Sequence, residues 1–288
     1  MTVRPSATWR WVRVEILVGA FGSMIGSFLN VIVYRVPMKR SIISPPSACT
    51  KCGVRIKGYD NIPVLSWLLL RGKCRSCKST ISIRYPIVEL GTGLFFGIVA
   101  WKFLPTMVSK FSSTALSGGA FFLLIAFLYL AAVSVALALI DLDTQTLPNW
   151  LVLPSYFVGA VLLGAAGIAS GDYGAILRAG IGAAVLWLIY FAMTLVYPGG
   201  MGFGDVKFAG VLGLFLGYLG WDALIVGAFA AFVLGGIFGL ALLASRRANR
   251  KSGIPFGPWM LAGAWVGVLF GEPIVQSYLS LFGLTSRA

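Results

Sequence analysis

Residues 118–141 read GGAFFLLIAFLYLAAVSVALALID. No Asp, Glu, Lys or Arg interrupts residues 118–140, and about 20 apolar residues are enough for a helix to cross a bilayer. Asp141 then ends the run directly. This stretch predicts a transmembrane helix with a carboxylate at one membrane surface, a costly placement unless the acid has a use or a partner.

The rest of the chain has the same apolar character. Of its 288 residues, 58% are hydrophobic and 11% are charged, whereas a soluble domain carries about 25% charged residues. The sequence predicts an all-α polytopic membrane protein with about eight transmembrane helices, because lipid leaves the backbone no other way to satisfy its hydrogen bonds. The predicted spans are 14–34, 87–104, 118–140, 150–169, 175–197, 206–220, 222–244 and 257–282, of which 206–220 is short and rich in glycine.

The first predicted span contains small and polar residues, among them Gly22, Gly26, Ser27 and Asn30. Small residues allow helices to approach closely in a membrane, so this helix is expected to pack tightly against a neighbour. We expect the helix to be retained and not cleaved as a signal peptide, because its apolar stretch is long and no clear small-residue cleavage site follows.

The net charge is +14 and is concentrated in a few segments. Residues 35–86 hold many Lys and Arg residues, and a second cluster consists of Arg246, Arg247, Arg250 and Lys251. Basic residues collect in the cytoplasmic loops of membrane proteins, so the charge indicates orientation and we expect no nucleic-acid partner.

An even number of predicted crossings separates residues 35–86, Asp141, residues 202–205 and the second basic cluster. All four are therefore expected at the cytoplasmic face. Three basic residues oppose this orientation, since they precede the first span and would lie outside: Arg4, Arg10 and Arg13.

All four cysteines lie in residues 35–86, as Cys49-Thr-Lys-Cys52 and Cys74-Arg-Ser-Cys77. Two such pairs can place four thiolates around a tetrahedral Zn²⁺. The predicted site is structural, because four protein ligands leave no open position, and it would fold a segment too small for its own core. Disulfides, unrelated thiols and an iron site are the alternatives, and a reducing cytoplasm argues against disulfides.

The chain has no histidine, which excludes Ser-His-Asp and Cys-His catalysis and histidine-ligated zinc. Its most notable acids are Asp141 and Asp205, the latter closing the loop Gly202-Phe203-Gly204-Asp205. Glycines let backbone approach closely and adopt positive φ. Two neighbouring carboxylates share one proton, so one can take a proton from water while the other donates to a carbonyl.

This arrangement predicts aspartic protease chemistry. Asp143 competes with Asp141 for the first role, but residues two positions apart on a helix point about 200° apart, so only one can face the same cleft. Asp143 is expected in the polar turn that follows. The alternative is that these acids are helix caps or juxtamembrane charges.

Several further motifs recur in one order along the chain. They are Gly26-Ser-Phe-Leu-Asn-Val31 with Arg35-Val-Pro37, both cysteine pairs around Tyr59-Asp-Asn-Ile-Pro63 and Leu65-Ser-Trp67, Arg84-Tyr-Pro86 with Glu89, Asp141-Leu-Asp-Thr-Gln-Thr-Leu-Pro-Asn149, Gly202-Phe-Gly-Asp205 and Pro255-Phe-Gly-Pro258. In these motifs the chain closely resembles the bacterial type IV prepilin peptidases, leader peptidases that also N-methylate their product.

The resemblance implies that Asp141 and Asp205 are catalytic, that Gly202, Phe203 and Gly204 form a supporting loop, and that the four cysteines are zinc knuckles. It implies cleavage of basic leaders from prepilins and from type II secretion pseudopilins, after a glycine and at the cytoplasmic face. It also implies methyl transfer from S-adenosylmethionine to the new N-terminal residue. The expected surroundings are the bacterial inner membrane, its lipid bilayer, and the pilus or type II secretion machinery.

The expected domains are a first transmembrane helix with a short tail over 1–34, a cytoplasmic zinc-binding insert over 35–86, and a seven-helix membrane aspartic peptidase domain over 87–288. Two other functions compete with this hypothesis. Buried aspartates could carry ions in an ion- or proton-coupled transporter, or the chain could be a zinc-stapled membrane scaffold that only binds partners.

Overall fold

The computed structural model describes residues 6–109, 118–197, 201–245 and 255–283. Helices dominate these ranges, and no β-strand occurs within them. The helices are α1 (Ser6–Arg35), α2 (Leu65–Leu69), α3 (Arg84–Ser109), α4 (Gly118–Thr144), α5 (Asn149–Ser170), α6 (Tyr173–Val196), α7 (Phe203–Leu219), α8 (Trp221–Ala244) and α9 (Gly257–Leu281).

Seven helices in the described part of the chain are long and apolar enough to cross a membrane. They are α1 from Arg13, α3 up to Pro105, α4, α5, α6, α8 and α9. The remaining predicted span, 206–220, corresponds to α7. This helix has 17 residues and therefore extends about 25 Å. The prediction of an all-α, multi-pass membrane protein is confirmed. The predicted basic cluster of Arg246, Arg247, Arg250 and Lys251 lies outside the described residues.

The chain divides into two compact units, Met1–Ser109 with Phe127–Ala136, and Lys110–Ala126 with Leu137–Ala288. The domain division expected at residues 34 and 86 remains a prediction. In the first unit α1 packs on α3 through glycines, as the small residues of α1 predicted. A Cβ added at Gly26 would lie 2.8 Å from the Cα of Glu89, so only glycine allows this approach.

The second unit is built around α7. Eleven of its 17 residues are buried, and it contacts α5, α6, α8 and α9. The α6 contact is close because both helices present glycine: a Cβ at Gly182 would lie 3.0 Å from the Cα of Gly217. A short apolar helix that is covered by protein on several sides need not match the bilayer thickness. The neighbours of α7 thereby fix the position of its first turn, which carries Asp205.

Candidate active site

The second unit brings the two predicted catalytic acids near each other. Asp141 lies in the last turns of α4 and is 4% exposed. Asp205 lies in the first turn of α7, close enough for the charge of Asp141 to act on it. The two acids are 64 positions apart in the chain (205 − 141), so the fold and not local sequence creates the pair.

Each carboxylate accepts a hydrogen bond from the backbone of a glycine. The Gly257 N–H donates to Oδ2 of Asp141 at 3.0 Å, and the Gly202 N–H donates to Oδ2 of Asp205 at 3.1 Å. Backbone donors are held in place by their helices, so each bond fixes the direction of a carboxylate. Asp143 is exposed, whereas Asp141 is buried, but Asp143 lies in the last turn of α4 and not in the polar turn that follows, where it was expected.

Gly257 reaches Asp141 only because it has no side chain. A Cβ at this position would lie 2.7 Å from Oδ2 of Asp141 and 3.4 Å from Cδ2 of Leu147. Real Cβ atoms essentially never come closer than 3.0 Å to a heavy atom outside their own residue and its chain neighbours. Gly257 opens α9 and is followed by Pro258, a residue favoured in the first turn of a helix.

The glycine loop that precedes Asp205 approaches its neighbours closely, as predicted. A Cβ on Gly204 would lie 3.2 Å from the Cβ of Leu147. Gly202 does not use the positive φ that glycine permits, since its φ is −75° and its ψ is 146°. Gly202 instead serves as the helix cap and supplies an N–H group to Asp205. The earlier part of this loop, residues 198–200, lies outside the described residues.

An aromatic cluster borders the acid pair and was not predicted. The ring of Tyr190 lies 5.4 Å from that of Phe232 and 6.3 Å from that of Phe256, measured between centroids. Tyr190 is 2% exposed and is close enough to Asp205 to interact with its charge. Because Phe256 directly precedes Gly257, the cluster helps to hold the amide that bonds Asp141.

The four cysteines form a separate cluster in the first unit, and all four sulfur atoms lie within 4.8 Å of one another. The Sγ atoms of Cys49 and Cys77 are 3.8 Å apart. Four sulfur atoms that each lie about 2.3 Å from a tetrahedral zinc ion are separated from one another by a distance close to that between Cys49 and Cys77. The cysteines are not joined by disulfide bonds in this structure, and the cluster fits a metal ion.

The two cysteine pairs adopt matching turns. The N–H of Cys49 bonds the Val54 carbonyl and the N–H of Cys74 bonds the Ser79 carbonyl, at 2.9 and 2.8 Å. Gly53 takes the left-handed position of the first turn, with φ +71°. The N–H groups of Cys52 and Lys51, followed by the Ser79 hydroxyl, lower the pKa of Cys49 to about 6. This thiol is therefore largely a thiolate, the form that binds metal, at neutral pH.

Two polar contacts hold the insert together and join it to α3. The guanidinium of Arg75 bonds both carboxylate oxygens of Asp60, with Nε–Oδ1 at 3.0 Å and Nε–Oδ2 at 2.9 Å. The same guanidinium holds the pKa of Asp60 below its ordinary value. Glu89, which is buried on α3, accepts the N–H of Val64 at 2.7 Å.

Comparison with known proteins decides the family. Residues 20–103 match the bacterial peptidase A24 N-terminal domain, and residues 128–240 match the type IV leader peptidase family. A prepilin leader peptidase/N-methyltransferase of Pseudomonas putida is 34% identical over 290 residues, which cover 93% of this chain and 94% of the relative. The chain belongs to the type IV leader peptidase family.

Other relatives of this leader peptidase carry the same name. Those of Aeromonas salmonicida and Neisseria gonorrhoeae are 36% and 34% identical, over 92% and 87% of this chain and 93% and 88% of their own lengths. No solved structure matches the chain. The resemblance stated from the motifs is thus confirmed at the level of the family.

The two family matches separate the two clusters of this leader peptidase. The cysteines lie within the N-terminal match, and Asp141 and Asp205 lie within the peptidase match. Gly257 lies beyond residue 240, where that match ends. The motif Pro255-Phe-Gly-Pro258 was the only sequence signal for it, and no local pattern indicates that its amide bonds Asp141.

Proposed function

We propose that this leader peptidase is an aspartic endopeptidase that removes the basic leader of prepilins and type II secretion pseudopilins. In this proposal the cut falls after a glycine at the cytoplasmic face of the inner membrane, and the products enter the pilus or type II secretion machinery. The observation that supports it most is the pair formed by Asp141 and Asp205, each held by a glycine N–H.

The proposed reaction uses the pair with one shared proton. The ionised carboxylate removes a proton from water, and the resulting hydroxide attacks the scissile carbonyl carbon while the protonated carboxyl donates to the carbonyl oxygen. The proton taken from water then passes to the leaving nitrogen as the C–N bond breaks, and a hydroxyl of the tetrahedral intermediate returns a proton to the carboxylate that had donated one. The two glycine amides orient the acids without themselves titrating.

Substitution of the acids tests this proposal. Purified enzyme is mixed with a prepilin-like peptide, and cleavage is followed by mass spectrometry for Asp141→Asn and Asp205→Asn. Because each variant removes one acid–base group, the rate is expected to fall about 10²–10⁴-fold. The matched control is Asp143→Asn, the same change on the exposed face of the same helix turn.

The control variant is expected to cleave within about twofold of the wild type, as is usual for exposed positions without a special role. Cleavage that persists in both Asp141→Asn and Asp205→Asn would rule out the acid pair. Absence of cleavage by the wild type, together with proton flux in vesicles that both substitutions abolish, would favour the transporter alternative. Absence of both activities would favour the scaffold alternative.

We propose that the four-cysteine cluster holds a structural Zn²⁺. Its sulfur distances fit tetrahedral coordination, and four thiolates leave no position for a substrate. Lys51, Lys73, Arg75 and Lys78 adjoin the cysteines and would offset the negative charge of the site. The metal would fold the insert and take no part in cleavage.

We propose that the enzyme also methylates the new N-terminal amine, as the name of its relatives indicates for them. S-adenosylmethionine would supply the methyl group: the amine nitrogen would form the new N–C bond as the S–C bond to the methyl breaks, S-adenosylhomocysteine would leave, and the amine would lose a proton. The candidate site for this methyl donor is a cavity of about 290 Å³ in the first unit, close to the lower end of the usual size of small-molecule pockets. Arg35 offers a cation for its carboxylate, and Phe28 and Val31 offer apolar surface.

Arg35 is held at the cavity wall because its guanidinium donates to the carbonyls of Ser41 and Pro45, at 3.0 and 2.8 Å. The affinity of the Arg35→Gln variant for S-adenosylmethionine, measured by calorimetry, is expected to fall about tenfold, since one charge-assisted contact is lost. The matched control is Arg40→Gln, on an exposed residue outside the cavity lining. Equal affinity of the wild type and Arg35→Gln for S-adenosylmethionine would reject this cavity as the binding site. Methylation itself would be rejected if no label passed from labelled S-adenosylmethionine to the cleaved peptide.

A further inference from the structure

Lys207 is an unexpected residue at the start of α7. Of the 17 residues of this helix, only Asp205 and Lys207 are Asp, Glu, Lys or Arg. A cation in the first turns of a helix is disfavoured by the helix dipole, and a lysine among apolar membrane helices is costly. Lys207 is nevertheless half-buried and lies two positions after Asp205. We therefore expect its ammonium group to make a specific stabilising contact.

Helix α5 holds Lys207 at two points. The Nζ of Lys207 donates to Oδ1 of Asn149 at 3.0 Å, and the hydroxyl of Tyr156 donates to the Lys207 carbonyl at 2.6 Å. Asn149 and Tyr156 are seven positions apart on α5, which places them on nearly the same face of that helix. Gly210 leaves the space that the Tyr156 hydroxyl occupies.

The same ammonium also contacts the glycine loop. Its Nζ lies 5.0 Å from the centre of the Phe203 ring, within the range of a cation–π interaction. Phe203 is the first residue of α7 and belongs to the turn that carries Asp205. On the other side, Asn149 ends the segment that leads from Asp141, in which Leu147 packs on Gly204.

We propose that Lys207 is a positioning residue for the acid pair. Its ammonium joins the segment that follows Asp141, through Asn149, to the turn that carries Asp205, through Phe203. The two acids then keep one relative placement while the substrate binds and reacts. This inference rests on the proposed peptidase function, since it assigns a role in the rate of cleavage.

The competing explanation is that Lys207 anchors the helix at the membrane surface by its charge alone, as lysines at helix ends often do. The two explanations differ at Asn149. A charge anchor needs no particular partner, whereas a positioning contact fails when either partner is removed. A substitution at Asn149 that keeps the charge of Lys207 therefore separates them.

The experiment measures kcat and KM of peptide cleavage for Lys207→Met, Asn149→Leu and the double variant. Loss of placement by about 1 Å costs up to about 10²-fold in rate, so each single variant is expected to lose about tenfold to hundredfold in kcat with KM nearly unchanged. The double variant is expected to match the single ones, because both remove one interaction. Asn149→Asp is expected to recover most of the rate lost in Asn149→Leu, since a carboxylate oxygen accepts the same hydrogen bond.

Gln276→Leu is the matched control for Asn149→Leu. It also removes an exposed side-chain amide, one whose hydrogen bond goes to Glu272 in its own helix at 3.0 Å, and it is expected to leave kcat unchanged. Rates are normalised to folded protein by size-exclusion chromatography. If Lys207→Met does not fold, the comparison of Asn149→Leu with Asn149→Asp still tests the contact.

Wild-type kcat in Asn149→Leu, or a double variant whose loss is the product of the single losses, would overturn the positioning role. Asp205→Asn distinguishes this failure from failure of the proposed function. If Asp205→Asn is inactive while Asn149→Leu keeps the wild-type kcat, only the inference about Lys207 fails. If Asp205→Asn itself cleaves like the wild type, the peptidase proposal fails.

Discussion

Gly257→Ala should damage the acid pair although it adds a single methyl group. The new Cβ would lie 2.7 Å from Oδ2 of Asp141, and ordinary contacts begin at 3.4 Å, so a shift of 0.7 Å (3.4 − 2.7) is required. Asp141 and the start of α9 must separate by that distance, which lengthens the 3.0 Å hydrogen bond between them. Misplacement of about 1 Å at a reacting group can cost about 10²-fold in rate, so kcat is expected to fall about tenfold to hundredfold.

The assay is cleavage of the prepilin-like peptide, with Gly236→Ala as the matched control. Gly236 lies in α8, and a Cβ there would meet nothing within 4 Å. Alanine is also the better helix former by up to about 1 kcal/mol, so this control is expected to be at least as stable and fully active. Gly257→Ala cleaving within about twofold of the wild type, while Asp141→Asn is inactive, would refute the reasoning about close approach.

Three further results are expected in the first unit. Cys49→Ser and Cys74→Ser should each lose the bound zinc, measured by elemental analysis of purified protein, and an unchanged zinc content would reject the site. The pKa of Cys52 is raised to about 11, so zinc must displace its proton at every pH from about 5 to 8, whereas the pKa of Cys49 is lowered to about 6 by the Cys52 and Lys51 amides; zinc affinity in a competition titration should therefore fall as the pH drops, more steeply below about pH 6, and an affinity that is flat from about pH 5 to 8 would contradict this. Gly26→Ala should lower the thermal midpoint, since its Cβ would lie 2.8 Å from the Glu89 Cα and overpacking costs about 1–3 kcal/mol; Gly97→Ala, with open space around it, should not.

Structural features that depend on short, continuous stretches of sequence were predictable. The apolar run before Asp141 predicts α4 because lipid contact demands apolar side chains along the whole helix. The cysteine spacing predicts a shared cluster because two tight turns can converge on one ion. The small residues of α1 predict its tight packing on α3, which the contact at Gly26 shows.

Features that depend on distant parts of the chain were not predictable. Gly257 bonds Asp141 across 116 positions, and Lys207 bonds Asn149 across 58. Neither contact leaves a periodic or compositional trace, because one glycine or one lysine fits many environments. The backbone conformation of Gly202 was not predictable either, because glycine permits several conformations and the cap of α7 is extended.

Within the part of the chain that the structure describes, both hydrogen bonds to the acid pair come from peptide N–H groups and none from a side chain. A donor of this kind is encoded by no particular residue, so replacing a neighbouring side chain cannot delete it. Proline, which lacks the N–H, or bulk that pushes the chain aside would remove it. The two hydrogen bonds therefore place unequal demands on the residues that donate them: a Cβ at Gly257 would lie 2.7 Å from Oδ2 of Asp141, whereas a Cβ at Gly202 would meet its nearest atom, Oδ2 of Asp205, at an ordinary 3.4 Å.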